Sequence, residues 1–589
     1  MKKESQSWKL DDIYKIEEFE KKYDEMAKRV EGIDNWYKKL GNKISEKDFR
    51  KLVEFSEKLG DDFSKLAYLP GLRESINQRD KVAKEMRSRI ELLGLKMSEK
   101  MRKIDFWIKG IKQEEIGSLE EGKAKKLFGL IPDLEYGLNY ARAAAKYNLS
   151  LREEEIIDNK DMAGVGVLGD LREMIETDME YEVDGRKVKT QSALLKKIYD
   201  KKREVREKAY KALFKEHKNE VDKLYAIYEG VVRDWGFEAK IRGYKSPISM
   251  RNFGNQIGDE VIENLLESVK ENREVFGKFF RYKAKKMGLK KLRRIDLYAP
   301  YPGKIKERKY SFEEAKKLVL ECFEEFDLRW REEAEKILTE EHVDIWPKKN
   351  KISGAFCATV SPSINPYVLL NFTGSIRDVY TLAHELGHGI HSLLANKHYP
   401  SSQSANLPLA ETASTLAESI LFEKLLEKEK DKEIRRQMLW NKIADSYATI
   451  LRQNYFVLFE IEAHEAIARG SSEKEMGKLW IKGLREQFGN SIQVEKMFAY
   501  EWSYIPHIVA SPFYCYAYNF GELLALSLYA EYKKRGKKMV EKINRILQAG
   551  GSKDPSLVLK NEGIEISKKE FWGEGFEIIK KWISILEKE

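Results

Sequence analysis

Apolar residues recur three and four positions apart through Ile13–Leu40, Glu46–Leu59, Gln78–Ile111 and Ser192–Trp235, with lysine and glutamate between them. That spacing gathers the apolar side chains on one face and predicts an amphipathic helix over each stretch. Strand signals are few. Tyr181–Val188 alternates around Asp184-Gly185 and predicts a short hairpin. Leu297–Pro302 and Gly354–Thr359 read as extended, and Tyr367–Phe372 is a β-prone apolar run that stops at Thr373-Gly374. The pattern therefore predicts a mainly α fold with a small sheet near residues 350–372. A boundary after the hairpin gives an N-terminal helical domain over 1–190 and a second domain over 191–589. No Gly/Ser linker marks it, so the two are expected to pack closely.

Composition narrows the class. The 589 residues carry 108 basic and 98 acidic side chains, a net charge of +10. Basic segments such as Arg281–Lys291 are interleaved with acidic helices, which fits solvated helix faces better than a nucleic-acid surface. No apolar run reaches the ~18–20 residues that span a bilayer, so no membrane partner is expected. No apolar stretch follows Lys2-Lys3, so no secretory signal is visible. Cys322, Cys357 and Cys515 are scattered and odd in number, which suits a reducing cytoplasm and small buried side chains rather than a disulfide framework.

The informative segment is Asp378–His388, DVYTLAHELGH, in which Asp378 can open a helix. Residues four apart share a helix face, so His384 and His388 can present two imidazoles to one ion. Glu385 then stands beside that face, placed to handle a proton without being a ligand. Only 8 histidines occur in the chain, and three of them fall within His384–His391, so chance is a poor explanation. Zinc asks for nitrogen or oxygen donors and, in catalytic sites, three protein ligands. A third histidine at the metzincin spacing is missing, since position 394 is Leu394. Ser392–Pro408 reads as a loop, after which Ala410–Glu418 (AETASTLAE) is helical and rich in small residues. Small residues allow two helices to approach closely, so Glu411 is the expected third ligand. Glu418, two turns further on, is a candidate to orient a ligand imidazole, or has a plain structural role. The same donors accept Co²⁺ or Mn²⁺. His217, His342, His398 and His464 carry no partner pattern, and His464 is expected to be buried in a helix.

With these residues in hand, the sequence resembles the M3 metallopeptidases, in particular the oligoendopeptidase F branch, related to thimet oligopeptidase. The likeness rests on HELGHGIHS (His384–Ser392), ETAST (Glu411–Thr415), SGAF (Ser353–Phe356), RDVYTLAHE (Arg377–Glu385) and PHIVASPFYCYAY (Pro506–Tyr518), with WKLDDIY (Trp8–Tyr14) and IRGYKS (Ile241–Ser246) extending it along the chain. The resemblance implies an elongated, two-lobed helical molecule with a deep channel, one zinc ion on its floor and the small sheet beside the zinc-binding helix. It implies a zinc-dependent endopeptidase for short unfolded oligopeptides, with Glu385 as general base. It also implies that His507 and tyrosines of the 504–518 stretch meet the substrate and the oxyanion. Pro512 suits the first turn of a helix, which places Tyr514 and Tyr518 on one face and turns Tyr516 elsewhere. His507, Tyr514 and Tyr518 are the expected donors, with Tyr516 behind them. Gly354, Ala355 and Phe356 form the edge to which a peptide adds as a strand. An exopeptidase of the same superfamily needs an anchor for a free carboxylate, and no single Arg or Lys advertises one. A non-catalytic helical binding protein is the remaining class, disfavoured because Glu385 and all the ligands are present. The oligomeric state is open, with a monomer favoured.

Overall fold

Two of the longest helices show why these sequences coil where they do. In the computed structural model, which describes residues 7–303 and 308–589, α1 (Glu46–Ile76) starts where the Ser45 hydroxyl accepts the Asp48 N–H. α2 (Lys81–Lys109) starts at Asp80, whose carboxylate accepts the Ala83 N–H, and stops at Gly110 in the left-handed conformation. The two pack along their apolar faces, burying Leu52, Leu59, Leu66, Ile90 and Trp107 in one core. The predicted helix over Ile13–Leu40 is shorter, occupying Phe19–Glu31 and then Asp34–Tyr37. Ser192–Trp235 is three helices, Gln191–Ile198, Arg203–Asn219 and Val221–Ile241, broken at Tyr199–Lys202 and at Glu220.

The chain is about 70% helical, a mainly α fold. It divides into two compact units. The first comprises Met1–Lys146, Glu307–Leu425 and Glu531–Ile564; the second comprises Tyr147–Lys306, Leu426–Ala530 and Glu565–Glu589.

The first unit holds the small sheet. β1 (Val343–Asp344) runs parallel to β3 (Tyr367–Leu369), which pairs antiparallel with β2 (Phe356–Ala358), in the order β1-β3-β2. β2 is thus an edge. Trp8 of the N-terminal segment lies edge-on to Tyr367 at 5.9 Å and tilted against Phe356 at 6.1 Å. Following the sheet come α3 (Ile376–Leu394) and α4 (Thr412–Lys428). The Ser392–Pro408 segment is less of a loop than its composition predicts: α3 continues to Leu394 and a further helical turn covers Pro400–Gln403.

In the second unit the hairpin forms as predicted, with Tyr181 opposite Val188 and both Asp184 and Gly185 at positive φ. Leu297–Pro302 does not form a strand. The pairing falls earlier, at Leu292–Arg293 against Ile492–Gln493. The carbonyls of Leu297 and Ala299 are turned instead onto the buried Lys283 ammonium, each at 2.8 Å. Here a buried cation outbids a sheet ladder for backbone acceptors.

His217 and His464 are buried in this unit, as expected for His464. Burial pushes each down from 6.5 to about 3. Both are neutral when folded, so their contribution is intact above pH 6.5 and is lost as pH falls toward 3. Between pH 6.5 and 5.5, the unfolding free energy from urea titrations should drop by about 1 kcal/mol for each of these histidines, steepening toward about 1.4 kcal/mol per pH unit below that. A His464→Leu variant should lose half of that slope.

Candidate metal centre

α3 begins with a reciprocal cap: the Ser375 hydroxyl accepts the Asp378 N–H at 3.2 Å, and Asp378 Oδ2 accepts the Ser375 N–H at 3.0 Å. Thr373 adds two more donors to the same oxygen, at 2.7 and 2.8 Å. Burial alone would push the Asp378 carboxyl up, but these hydrogen bonds outweigh it and hold it down. The anchored start fixes the rotation of the helix, and so the direction of His384 and His388 two to three turns later.

What brings α4 alongside is a missing side chain. A Cβ on Gly387 would stand 2.6 Å from Ser414 Cα and 2.8 Å from the Ala413 carbonyl oxygen. Only glycine permits that approach. Glu411, at the entrance of α4, is then within reach of both imidazoles. His384 Nε2 and His388 Nε2 are 3.2 Å apart, and Glu411 Oε2 is 3.4 Å from each. Donors held about 2.0–2.1 Å from one tetrahedral ion stand about 3.3–3.4 Å apart, so all three edges fit a zinc-sized ion. Two ring nitrogens that face one another this closely are better read as sharing a cation than as a hydrogen-bonded pair.

Glu418 completes the arrangement from the same helix. Its Oε1 accepts a proton from His384 Nδ1 at 2.5 Å, which leaves the Nε2 lone pair of that ring free to ligate. The Ser414 hydroxyl donates to Glu411 Oε2 at 2.8 Å. Burial pulls His384 down, but the Glu418 carboxylate, with Glu385 and Glu411, overrides it and raises the ring to about 9. Burial pushes Glu411 up, but His388, His384 and Ser414 together bring it to about 2. The field of the site therefore favours a cation at the Nε2 lone pairs, and a metal competes there with a proton.

A cleft of about 350 Å³ opens on these residues, lined also by Ala355, Phe356, Cys357, Thr359 and Glu385. The Glu385 carboxyl forms no hydrogen bond with another described residue, and burial, the largest influence, raises its pKa. His391 lies beside the ligands but outside the group, buried and pushed down to about 4. Gly354 has φ +86°, and the Asn371 amide ties its carbonyl at 2.8 Å, turning the chain into the β2 edge.

His507, Tyr514 and Tyr518 form a cluster in the second unit. Tyr518 Oη lies 3.3 Å from His507 Nε2, and the rings of Tyr514 and His507 are nearly parallel with centroids 6.2 Å apart. The helix does not begin at Pro512. It begins at Tyr516, because residues 512–515 form a turn in which Phe513 has φ +60°. Tyr516 is fully buried with its hydroxyl taken by Asn255 at 2.7 Å, so its side chain supports the turn and is not free to meet a substrate.

Two residues of this region gave no sequence signal. The buried Glu460 accepts the Phe513 N–H at 2.7 Å, and the Arg251 guanidinium donates to the Pro512 carbonyl at 2.9 Å and to Ser511 at 3.0 Å. They hold a phenylalanine in a conformation that costs of order 1–3 kcal/mol. Burial pushes Glu460 up to about 8.

Fold and site together define a helical protein in which an HExxH helix and a glutamate helix converge on a space the size of one metal ion. The chain belongs to peptidase family M3, a metallopeptidase family: the family's model matches residues 197–578. It is 31% identical over 429 residues to an oligoendopeptidase F homolog of Borreliella burgdorferi, covering 72% of each chain. It is 26% identical over 487 residues to the group B oligopeptidase PepB of Streptococcus agalactiae, covering 81% of this chain and 80% of that one. The resemblance to the oligoendopeptidase F branch thus holds among its relatives. Its fold is shared with oligoendopeptidase-F from Enterococcus faecium, at TM-score 0.70 and 20% identity over 97% of this chain and 98% of that one. A Chlamydophila abortus protein matches at TM-score 0.86 and 22% identity, over 99% and 98%.

Gly387→Ala should push α3 and α4 apart, costing about 1–3 kcal/mol of stability and weakening any metal binding at the site tenfold or more in a competition with a fluorescent chelator. Gly389→Ala should be milder, because the atom it meets is the movable tip of Ile337. Equal losses in the two variants would show that the Gly387 contact is not special.

Proposed function

We propose that this chain is a zinc-dependent endopeptidase for short unfolded oligopeptides. The observation that carries the proposal is the set of three donor separations at His384, His388 and Glu411, which match the edges of one tetrahedral site. Three protein ligands leave a fourth position for chemistry. When bound, zinc supplies a Lewis acid that polarises the scissile carbonyl and makes water a nucleophile near neutral pH.

The chain's own residues do the rest. Glu385, unpaired in the cleft and raised by burial, takes a proton from water and hands it to the departing amine. Glu418 keeps His384 in the tautomer that ligates. On the β2 edge, the backbone of Gly354, Ala355 and Phe356 offers a substrate strand hydrogen bonds that do not depend on its sequence. His507, Tyr514 and Tyr518 are assigned as donors to substrate and oxyanion. The reacting machinery is assigned to 191–589, with 1–190 as a helical N-terminal domain and the protein acting as a monomer.

No described helix is long and apolar enough to cross a membrane, and Cys322, Cys357 and Cys515 are all free, which supports a cytoplasmic assignment.

A mixed peptide library, digested with and without chelator and read by mass spectrometry, tests metal dependence and substrate length together. Internal cleavage of peptides acetylated at the N-terminus and amidated at the C-terminus is expected. Cleavage confined to free termini would replace the endopeptidase reading with an exopeptidase one. Glu385→Ala should lower kcat about 10²–10⁴-fold while the zinc content stays at one per chain. Tyr518→Phe should lose about 2.7–4 kcal/mol of transition-state stabilisation. A Glu385→Ala enzyme as fast as the parent would end the proposal.

A further inference from the structure

Asp12, Glu340 and His342 each bring one ligating atom within 4.8 Å of the others. All three belong to the first unit, and none lines the cleft of the candidate metal centre. The chain builds this meeting in two steps. The helix Leu328–Thr339 ends at Glu340, and Glu341 follows at φ +57°, turning the chain into β1. The Lys9 N–H then donates to the Glu341 carbonyl at 3.1 Å, which draws the N-terminal segment, and Asp12 with it, against the turn.

His342 is the fixed partner. It is 1% exposed, its carbonyl accepts the Val368 N–H at 2.9 Å, and its ring stacks on Tyr367 with centroids 4.0 Å apart. Its Nδ1 lies 2.9 Å from the Asn365 carbonyl oxygen, which can only accept. The proton of the neutral ring is therefore on Nδ1, and Nε2 presents a lone pair. That lone pair faces Asp12 Oδ2 at 3.0 Å, a second acceptor. Two lone pairs this close need a positive centre between them, a proton or a metal ion. A proton would place a full charge on a ring with almost no access to water, and would serve Asp12 alone. Glu340 accepts from the Asn365 amide at 2.6 Å through Oε2 and has no hydrogen bond to its other oxygen among the described residues. The Tyr367 hydroxyl is the independent observation. Tyr367 is fully buried and its Oη has no hydrogen-bond partner. Burial pushes that hydroxyl up, and of the charges around it Asp12 and then Glu340 act on it most. An unused donor thus stands beside the same two carboxylates.

We propose that Asp12, Glu340 and His342 Nε2 bind a divalent transition-metal ion of the zinc class, separate from the one at His384, His388 and Glu411, with water completing its shell. One imidazole nitrogen and two carboxylate oxygens are donors that Zn²⁺ accepts. The imidazole is rigid, while both carboxylates are at the surface and free to close on an ion from their present separations. Bound water gives the Tyr367 hydroxyl an acceptor, and the ion gives both carboxylates a counter-charge. The ion acts as a staple. It ties the segment carrying Trp8, whose ring lies on Tyr367 and Phe356, to the sheet that ends in the β2 edge.

Zinc content of the full-length protein, measured by mass spectrometry after dialysis against about 0.1 mM free Zn²⁺, tests the idea. The parent should hold one more equivalent than an Asp12→Asn, Glu340→Gln double variant, whether or not His384, His388 and Glu411 are loaded. Both substitutions are at the surface, so the variant should fold as the parent does. In competition with a fluorescent chelator, Asp12→Asn alone should weaken this ion at least about tenfold, since even groups behind the ligands cost that much. Tyr367→Phe should weaken it by a smaller factor. Zinc-edge anomalous difference maps should place the ion about 2.0–2.1 Å from His342 Nε2. Equal zinc content in parent and double variant overturns the proposal and leaves a His342–Asp12 ion pair in its place. An extra ion that does not touch His342 overturns it as well.

Discussion

Everything at the candidate metal centre depends on two helix backbones touching at one glycine. With Gly387 against Ala413 and Ser414, the Glu411 carboxylate arrives 3.4 Å from each of two imidazoles that one turn of α3 has already placed 3.2 Å apart. A methyl group inserted there would separate the helices by more than the tolerance of a coordination sphere, which is a few tenths of an ångström. α4 also does two jobs at a spacing of seven residues. Glu411 faces the shared point, and Glu418, two turns on, holds the far nitrogen of His384 at 2.5 Å. Ligand and orienting group thus sit on one rigid element, so they cannot drift independently. Three carboxylates so close together repel, and a cation between them relieves that repulsion. This is the sense in which the site is shaped to accept a cation.

The second unit spends stability differently. Phe513 adopts a conformation most side chains avoid, and a buried carboxylate with a pKa of about 8 accepts its N–H. Arg251 holds the two preceding positions, Pro512 and Ser511. The consequence is local: His507, Tyr514 and Tyr518 gather on one side of a turn that no regular helix would produce. Strain of this kind persists only where its surroundings over-determine it, and here a buried carboxyl and a guanidinium do so. In the same unit Lys283 draws two carbonyls out of extended structure. Buried polar side chains, more than periodicity, decide where these segments depart from helix or strand.

That distinction explains what could be read from the sequence. The α3 helix with Asp378 in its first turn, the pairing of His384 with His388, and the Asp184-Gly185 hairpin rest on signals within a few residues, and all were legible. Glu411 required a longer step, across Ser392–Pro408, and small residues on both sides made it reasonable. The two-residue strand Val343–Asp344 was not legible, because its pairing is defined by Tyr367–Leu369 and not by any pattern of its own. The turn at Phe513 was equally hidden: positive φ is announced by glycine or asparagine, and here tertiary contacts enforce it on an aromatic residue. Reading Pro512 as a helix start failed for that reason. Glu460 and Arg251 looked like ordinary charges on helices until their partners, 53 and 260–261 residues away, came into view.

The balance between backbone and side-chain recognition follows from the same geometry. On the proposed reading, a bound strand meets Gly354-Ala355, just ahead of the β2 edge, and these give it little to select by. Main-chain hydrogen bonds accept nearly any extended peptide. Selection must then come from whatever surrounds the ion, and the cleft there is lined by small or polar groups such as Thr359, Gln403 and Ser404 with few large apolar walls. A site of that composition discriminates weakly between substrate side chains, since a methylene gains only about 1–3 kcal/mol even in a well-formed apolar pocket. On the proposed reading, the enzyme is therefore tolerant of sequence and demanding of conformation. A peptide must be extended and free of its own sheet or helix partners before its backbone can take up the hydrogen bonds β2 leaves open.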